Sequence, residues 1–129
     1  MSSWIRILLI YSLGIFYTVA GINHFVNPEF YLPLIPDYFP FPSAINLGSG
    51  ILEVALGLGV LVSPKTRKMA SWGIVILLIA FIPSHVYFIQ IGSCVQEGLC
   101  VPEWVGWVRL VVVHPLLIFW AIWVSKTGS

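Results

Sequence analysis

The chain has 129 residues, of which 59% are hydrophobic and only 9% charged, with a formal net charge of +1. A soluble domain carries about 25% charged residues, so this chain lacks the polar surface to coat a globule in water. A mean hydropathy of +0.98 points instead to a lipid bilayer, and the near-neutral charge, without a basic patch, excludes nucleic acid as a partner.

Four apolar stretches, approximately 4–26, 43–62, 69–91 and 104–124, are each long enough to cross about 30 Å of hydrocarbon as a helix. They predict an all-α fold, an integral membrane four-helix bundle, in a single domain over residues 1–129. The first stretch is longer than the apolar run of a signal peptide, and no small-residue cleavage site precedes His24, so it reads as a retained helix. It carries Gly14, Tyr17, Gly21 and His24, spaced three, four and three. Residues 27–42 follow as NPEFYLPLIPDYFPFP. Proline at this density forbids a regular helix, while the aromatic residues oppose full solvation. The segment is either a cap across the end of the bundle or a plain interfacial anchor.

The second stretch carries Ser43, Asn46, Gly50, Glu53 and Gly57, again at three-four spacing. Residues so spaced share one helix face, and small residues let membrane helices approach closely. Both stripes should point into the bundle, taking Tyr17, His24, Asn46 and Glu53 with them. Ser63-Pro64 marks a tight turn, and Lys65, Arg67 and Lys68 read as a short basic loop before the third stretch. Within that stretch Pro83 frees the Ile79 carbonyl and His85 follows. The loop 92–103 holds the only two cysteines, Cys94 and Cys100. A disulfide stapling this loop is expected in an oxidising compartment; their spacing is not C-x-x-C, and a shuttling dithiol is the alternative. The fourth stretch carries Arg109 and His114, with Pro115 opposing a regular helix.

Lys and Arg mark the cytoplasmic side of a membrane protein. Arg6, Lys65, Arg67, Lys68 and Lys126 fall on one side of a four-span chain, and loops 27–42 and 92–103 contain neither residue type. Both termini are therefore expected in the cytoplasm. Trp4, Trp72, Trp104, Trp107 and Trp123 lie near the predicted helix ends, as interfacial anchors do.

Asn23, His24, Glu53, His85, Arg109 and His114 stand out because lipid penalises such residues, by roughly 2.5–3.5 kcal/mol for a central charge. At about 1.5 Å per residue, Glu53 and His114 lie roughly 15 Å from the outer edge and Arg109 about 8 Å. His85 lies about six residues from the outer end of its helix, and His24 near the outer end of its own. One polar layer in the outer half of the bundle results. His24, Glu53, His85 and Arg109, with Tyr17, Asn46 and His114, are the candidate ligand-binding residues; none is assigned a catalytic role. Arg109 and His114 sit about 140° apart on an ideal helix, so both face an interior only if it is wide or the helix is distorted. Otherwise His114 faces a neighbouring copy. A structural Glu53–Arg109 ion pair is the plainest alternative to a site. A metal centre is not predicted, because cationic Arg109 opposes a divalent cation in the same layer, and haem held by His85 and His114 is disfavoured.

The run Ala20-Gly21-Ile22-Asn23-His24-Phe25, then Pro28, Tyr31, Ile35-Pro36 and Phe41-Pro42, then Ser49-Gly50 with Glu53 and Gly57, a basic turn, and Pro83-Ser84-His85 resembles the DoxX family of small four-helix membrane proteins. The resemblance spans nearly the whole chain and is most specific in the first half. It implies a four-helix bundle in a prokaryotic plasma membrane and an association with oxidoreductases, since the family takes its name from a subunit of a thiosulfate:quinone oxidoreductase. The chain lacks the close cysteine pair of vitamin K epoxide reductase-like bundles, which weighs against its making disulfides itself.

Three functions follow as expectations. The first is a redox-associated subunit, an oxidoreductase component, binding a quinone or another small ligand. Histidine or Tyr17 would donate to the headgroup, Arg109 would stabilise an anionic reduced form, and Glu53 would exchange protons. No flavin, haem or nucleotide motif is evident, so electrons would come from a redox partner protein or a soluble donor. The second is a proton or small-solute transporter, in which intramembrane Glu and His form a relay. The third is an assembly or accessory subunit, whose polar layer fixes packing, a partner or a homo-oligomer.

Overall fold

The computed structural model describes residues 2–127, and these form an all-helical bundle. Helix α1 is Ser3–Val26, and a short α2 of Pro28–Tyr31 runs into a 3₁₀ turn, Leu32–Leu34. Helix α3 is Pro42–Val62. The third span is two helices, α4 (Pro64–Ala80) and α5 (Ile82–Gln90), broken at Phe81. The fourth is α6 (Glu103–Val108), a π-helical turn Arg109–Val113, and α7 (His114–Lys126). The stretches 3–26, 42–62, 64–90 and 103–126 are each long and apolar enough to cross a membrane. Large apolar side chains such as Ile7, Ile15, Ile51, Ile76, Leu116 and Phe119 lie exposed on the outside of the bundle, where only lipid would shelter them. The chain thus has the build of a multi-pass membrane protein.

Successive spans run antiparallel and close a ring: α1 packs most extensively on α3, α3 on α4, α4 on α7, and α7 more lightly on α1. The two stripes of small residues create the tightest of these contacts. A Cβ added to Gly21 would lie 2.7 Å from the Gly50 carbonyl oxygen, and one added to Gly57 2.6 Å from the Thr18 nitrogen. Backbones can approach this closely only where side chains are missing. The buried face of α3 runs Asn46, Gly50, Glu53, Gly57, Val60, so the expected stripe holds except for Ser43, which is exposed at the first turn.

The third span departs from expectation. Its helix starts five residues early, at Pro64, because Ser63 caps it: the Thr66 N–H donates to Ser63 Oγ at 3.3 Å. Proline suits the first turn of a helix, where its missing N–H is not needed. Lys65, Arg67 and Lys68 are therefore helical, not a loop, and Arg67 is buried with its Nε–H donating to the Val60 carbonyl at 2.9 Å. Trp123 is also not a pure interfacial anchor, since it packs on the core.

That core is apolar and fills the end of the bundle nearer the termini. Ile10, Leu13, Val60, Ile74, Val75, Leu78, Ala121 and Val124 come from all four spans and are nearly fully buried. At the other end the segment between α1 and α3 folds back over the bundle as a cap. Its 3₁₀ turn is tied to the third span by Ser84 Oγ–H, which donates to the Leu34 carbonyl at 2.8 Å. The proline-rich segment thus contains one short α-helical turn, longer regular helix being excluded as expected. The second loop at that end is closed by a Cys94–Cys100 disulfide.

Candidate functional site: a capped polar cavity

Close approach of α1 and α3 sets the first wall of the site. Asn46 Nδ2–H donates to the His24 carbonyl at 3.0 Å, which orients the amide so that its Oδ1 faces His24 Nδ1 at 2.7 Å. An amide oxygen only accepts, so Nδ1 carries a hydrogen. On the other side of the ring, Nε2 lies 2.5 Å from Glu53 Oε2. Two lone pairs would repel at that separation, so one of the two atoms carries a proton. Either an imidazolium N–H donates to the carboxylate, or the acid O–H donates to a neutral ring. The pair is electrically neutral as a unit in both cases. Tyr31 of α2 stacks on the His24 ring, with centroids 3.8 Å apart and planes 18° apart, and its hydroxyl accepts from Asn23 Nδ2–H at 2.6 Å.

The opposite wall comes from the third and fourth spans. The π turn resolves the angle between Arg109 and His114. Its i−5 bond, from the His114 N–H to the Arg109 carbonyl, widens the turn so that residues five apart fall on one face. Pro115, in the first turn of α7, supplies the cause: in a regular helix its ring would clash with the carbonyl four residues back. His114 Nε2–H donates to the Leu78 carbonyl at 2.5 Å, just before the break in the third span. His85 lies edge-on to His114 at 4.7 Å between centroids. Arg109 stacks its guanidinium 4.9 Å above the centre of the Phe88 ring.

Between these walls lies a cavity of about 320 Å³. Tyr17, His24, Asn46, Glu53, His85, Arg109 and His114 all line it, together with cap residues Phe30, Tyr31, Leu34 and Phe39. Two buried donors on its wall, Tyr17 O–H and Arg109 Nη1–H, have no hydrogen-bond partner. Asn23 is spent on Tyr31, and the cysteines lie outside the cavity in their loop. The Glu53–Arg109 pair is not formed: Glu53 is taken by His24, and no other ion pair occurs among the described residues. No three His, Cys, Asp or Glu side chains among those residues come together as metal ligands.

Tyr31, Ser84 and Phe88 belong to the site and were not picked out from sequence as site residues. Tyr31 and Ser84 stand inside the motif runs around His24 and His85, and Phe88 falls one helical turn after His85. The cavity is polar on its helical walls and apolar under the cap, so it can orient a polar head and cover an apolar body.

A family model described as Domain of unknown function (DUF8561) matches residues 13–125. No curated protein and no solved structure matches the chain.

Proposed function

We propose that this chain, which belongs to the DUF8561 family, is a redox-associated membrane protein whose capped cavity binds a quinone or a similar small ligand with a polar head and an apolar body. One observation carries this reading: Tyr17 O–H and Arg109 Nη1–H are buried without partners on the lining of a cavity to which His24, Asn46, Glu53, His85 and His114 also contribute. An unpaired buried donor costs roughly 1–3 kcal/mol. A headgroup carbonyl or oxyanion would remove that cost. The redox association rests on the DoxX-like motifs, and the electrons would come from a partner protein.

The setting proposed is a prokaryotic plasma membrane with both termini in the cytoplasm. Five of the six Lys and Arg residues in the chain lie toward the end that carries the termini, which favours that orientation. A proton-transfer role is the second reading, favoured by the close buried approach of His24 Nε2 to Glu53 Oε2. The apolar core below the cavity weighs against it, because a conduit would have to cross Leu13, Val60, Ile74 and Val124.

Titration of the purified protein in lipid nanodiscs with short-chain ubiquinone and menaquinone analogues, followed by quenching of tryptophan fluorescence, tests the proposal. Saturable binding is expected, weakened about tenfold by Tyr17→Phe or Arg109→Gln, which corresponds to roughly 1.4 kcal/mol. No saturable binding by any analogue overturns it. Glu53-dependent proton flux into liposomes without a redox partner favours the second reading instead.

A further inference from the structure

Resting on the ligand-binding reading above, the charges around the cavity specify the ligand further. The His24–Glu53 pair contributes no net charge: Asn46 holds a hydrogen on Nδ1, and the close approach of Nε2 to Glu53 Oε2 calls for one more proton on one of those two atoms. His114 uses its Nε2–H on the Leu78 carbonyl. Arg109 therefore faces the cavity as a cation that no carboxylate of the described residues answers. The face of Phe88 offsets part of its charge, yet Nη1 stays buried and unpaired. A guanidinium is a forked donor suited to oxyanions. Tyr17, only 2% exposed, offers a second unpaired donor, its hydroxyl, on the facing wall.

We infer that the cavity takes a singly charged anion on an apolar body, its oxyanion held by Arg109 Nη1–H and a further acceptor by Tyr17 O–H. One negative charge brings the wall to neutrality, whereas a dianion would leave an excess charge in a low-dielectric site. The cap residues Phe30, Leu34 and Phe39 suit the apolar body. Two sources share this chemistry: the ionised form of a hydroxyquinone, and a single-chain carboxylate.

Four probes in nanodiscs of zwitterionic phosphatidylcholine at pH 8 separate the outcomes: a 2-hydroxy-3-alkyl-1,4-naphthoquinone, its 2-methoxy ether, dodecanoate and dodecanol. Each anion is expected to bind at least tenfold more tightly than its neutral counterpart. Arg109→Gln should abolish that ratio and Arg109→Lys should retain part of it. The wild-type ratio does not depend on how well a variant folds. Equal binding within each pair, or a ratio unchanged in a folded Arg109→Gln protein, overturns the anion site while the quinone reading stands. Preference for dodecanoate with no naphthoquinone binding keeps the anion site and removes the quinone. Binding of none of the four overturns both.

Discussion

His24 is the most constrained side chain of the site. Its two ring nitrogens, its carbonyl and one ring face are all engaged, by Asn46, Glu53 and Tyr31. Glu53→Gln preserves shape and can still donate an amide N–H to Nε2, so it should alter unfolding free energy by about 1 kcal/mol or less. Glu53→Leu leaves that ring nitrogen buried without a partner and should cost about 3 kcal/mol or more, in line with broken buried pairs. Denaturant unfolding of both variants in one detergent checks the ordering; equal losses would show that the polar contact contributes little. The partner of Glu53 was half legible in the sequence. Helical spacing put His24 and Glu53 on facing stripes, while opposite charge within one polar layer suggested Arg109. Position around the helix decided the pairing, since Arg109 sits on the far wall.

Among the helices, α1 and α3 depend on absent side chains. Gly21→Ala would place its methyl 2.7 Å from the Gly50 carbonyl oxygen, forcing α1 and α3 apart at an expected cost of about 1–3 kcal/mol. Gly48 lies on the same helix as Gly50, but a Cβ there meets nothing within 4 Å. Gly48→Ala should therefore be neutral or stabilise by roughly 0.5–1 kcal/mol through helix propensity. Thermal unfolding compares the two, and a Gly21→Ala protein as stable as wild type would contradict the close packing. These stripes were readable because a 3.6-residue period survives in any regular helix. The π turn was not readable, because it breaks that period; Pro115 marked a distortion without fixing its form. The early start of α4 was masked by its basic residues, which look like a loop until Ser63 and Pro64 are seen together as a cap and first turn.

For the molecule as a whole, the four spans were the easiest part to read, since lipid selects for long apolar runs and little else. The convergence of the seven candidate polar residues on one cavity was only partly readable: depth grouped them, but no sequence period marks the path of the segment that roofs them. The orientation proposed for the bundle predicts that a cysteine placed at Lys126 reacts with a membrane-impermeant maleimide only after the membrane is opened. Cys94 and Cys100 are already joined and should stay silent, and labelling of intact cells would reverse the topology. The apolar core that closes one end of the bundle carries a kinetic consequence. With that end filled by buried side chains, a ligand cannot pass through the bundle from one end to the other, and successive ligands share one site. The oxidised and reduced forms of a redox ligand would then exclude each other, and product should inhibit in a strictly competitive pattern. A mixed pattern would mean a second vestibule.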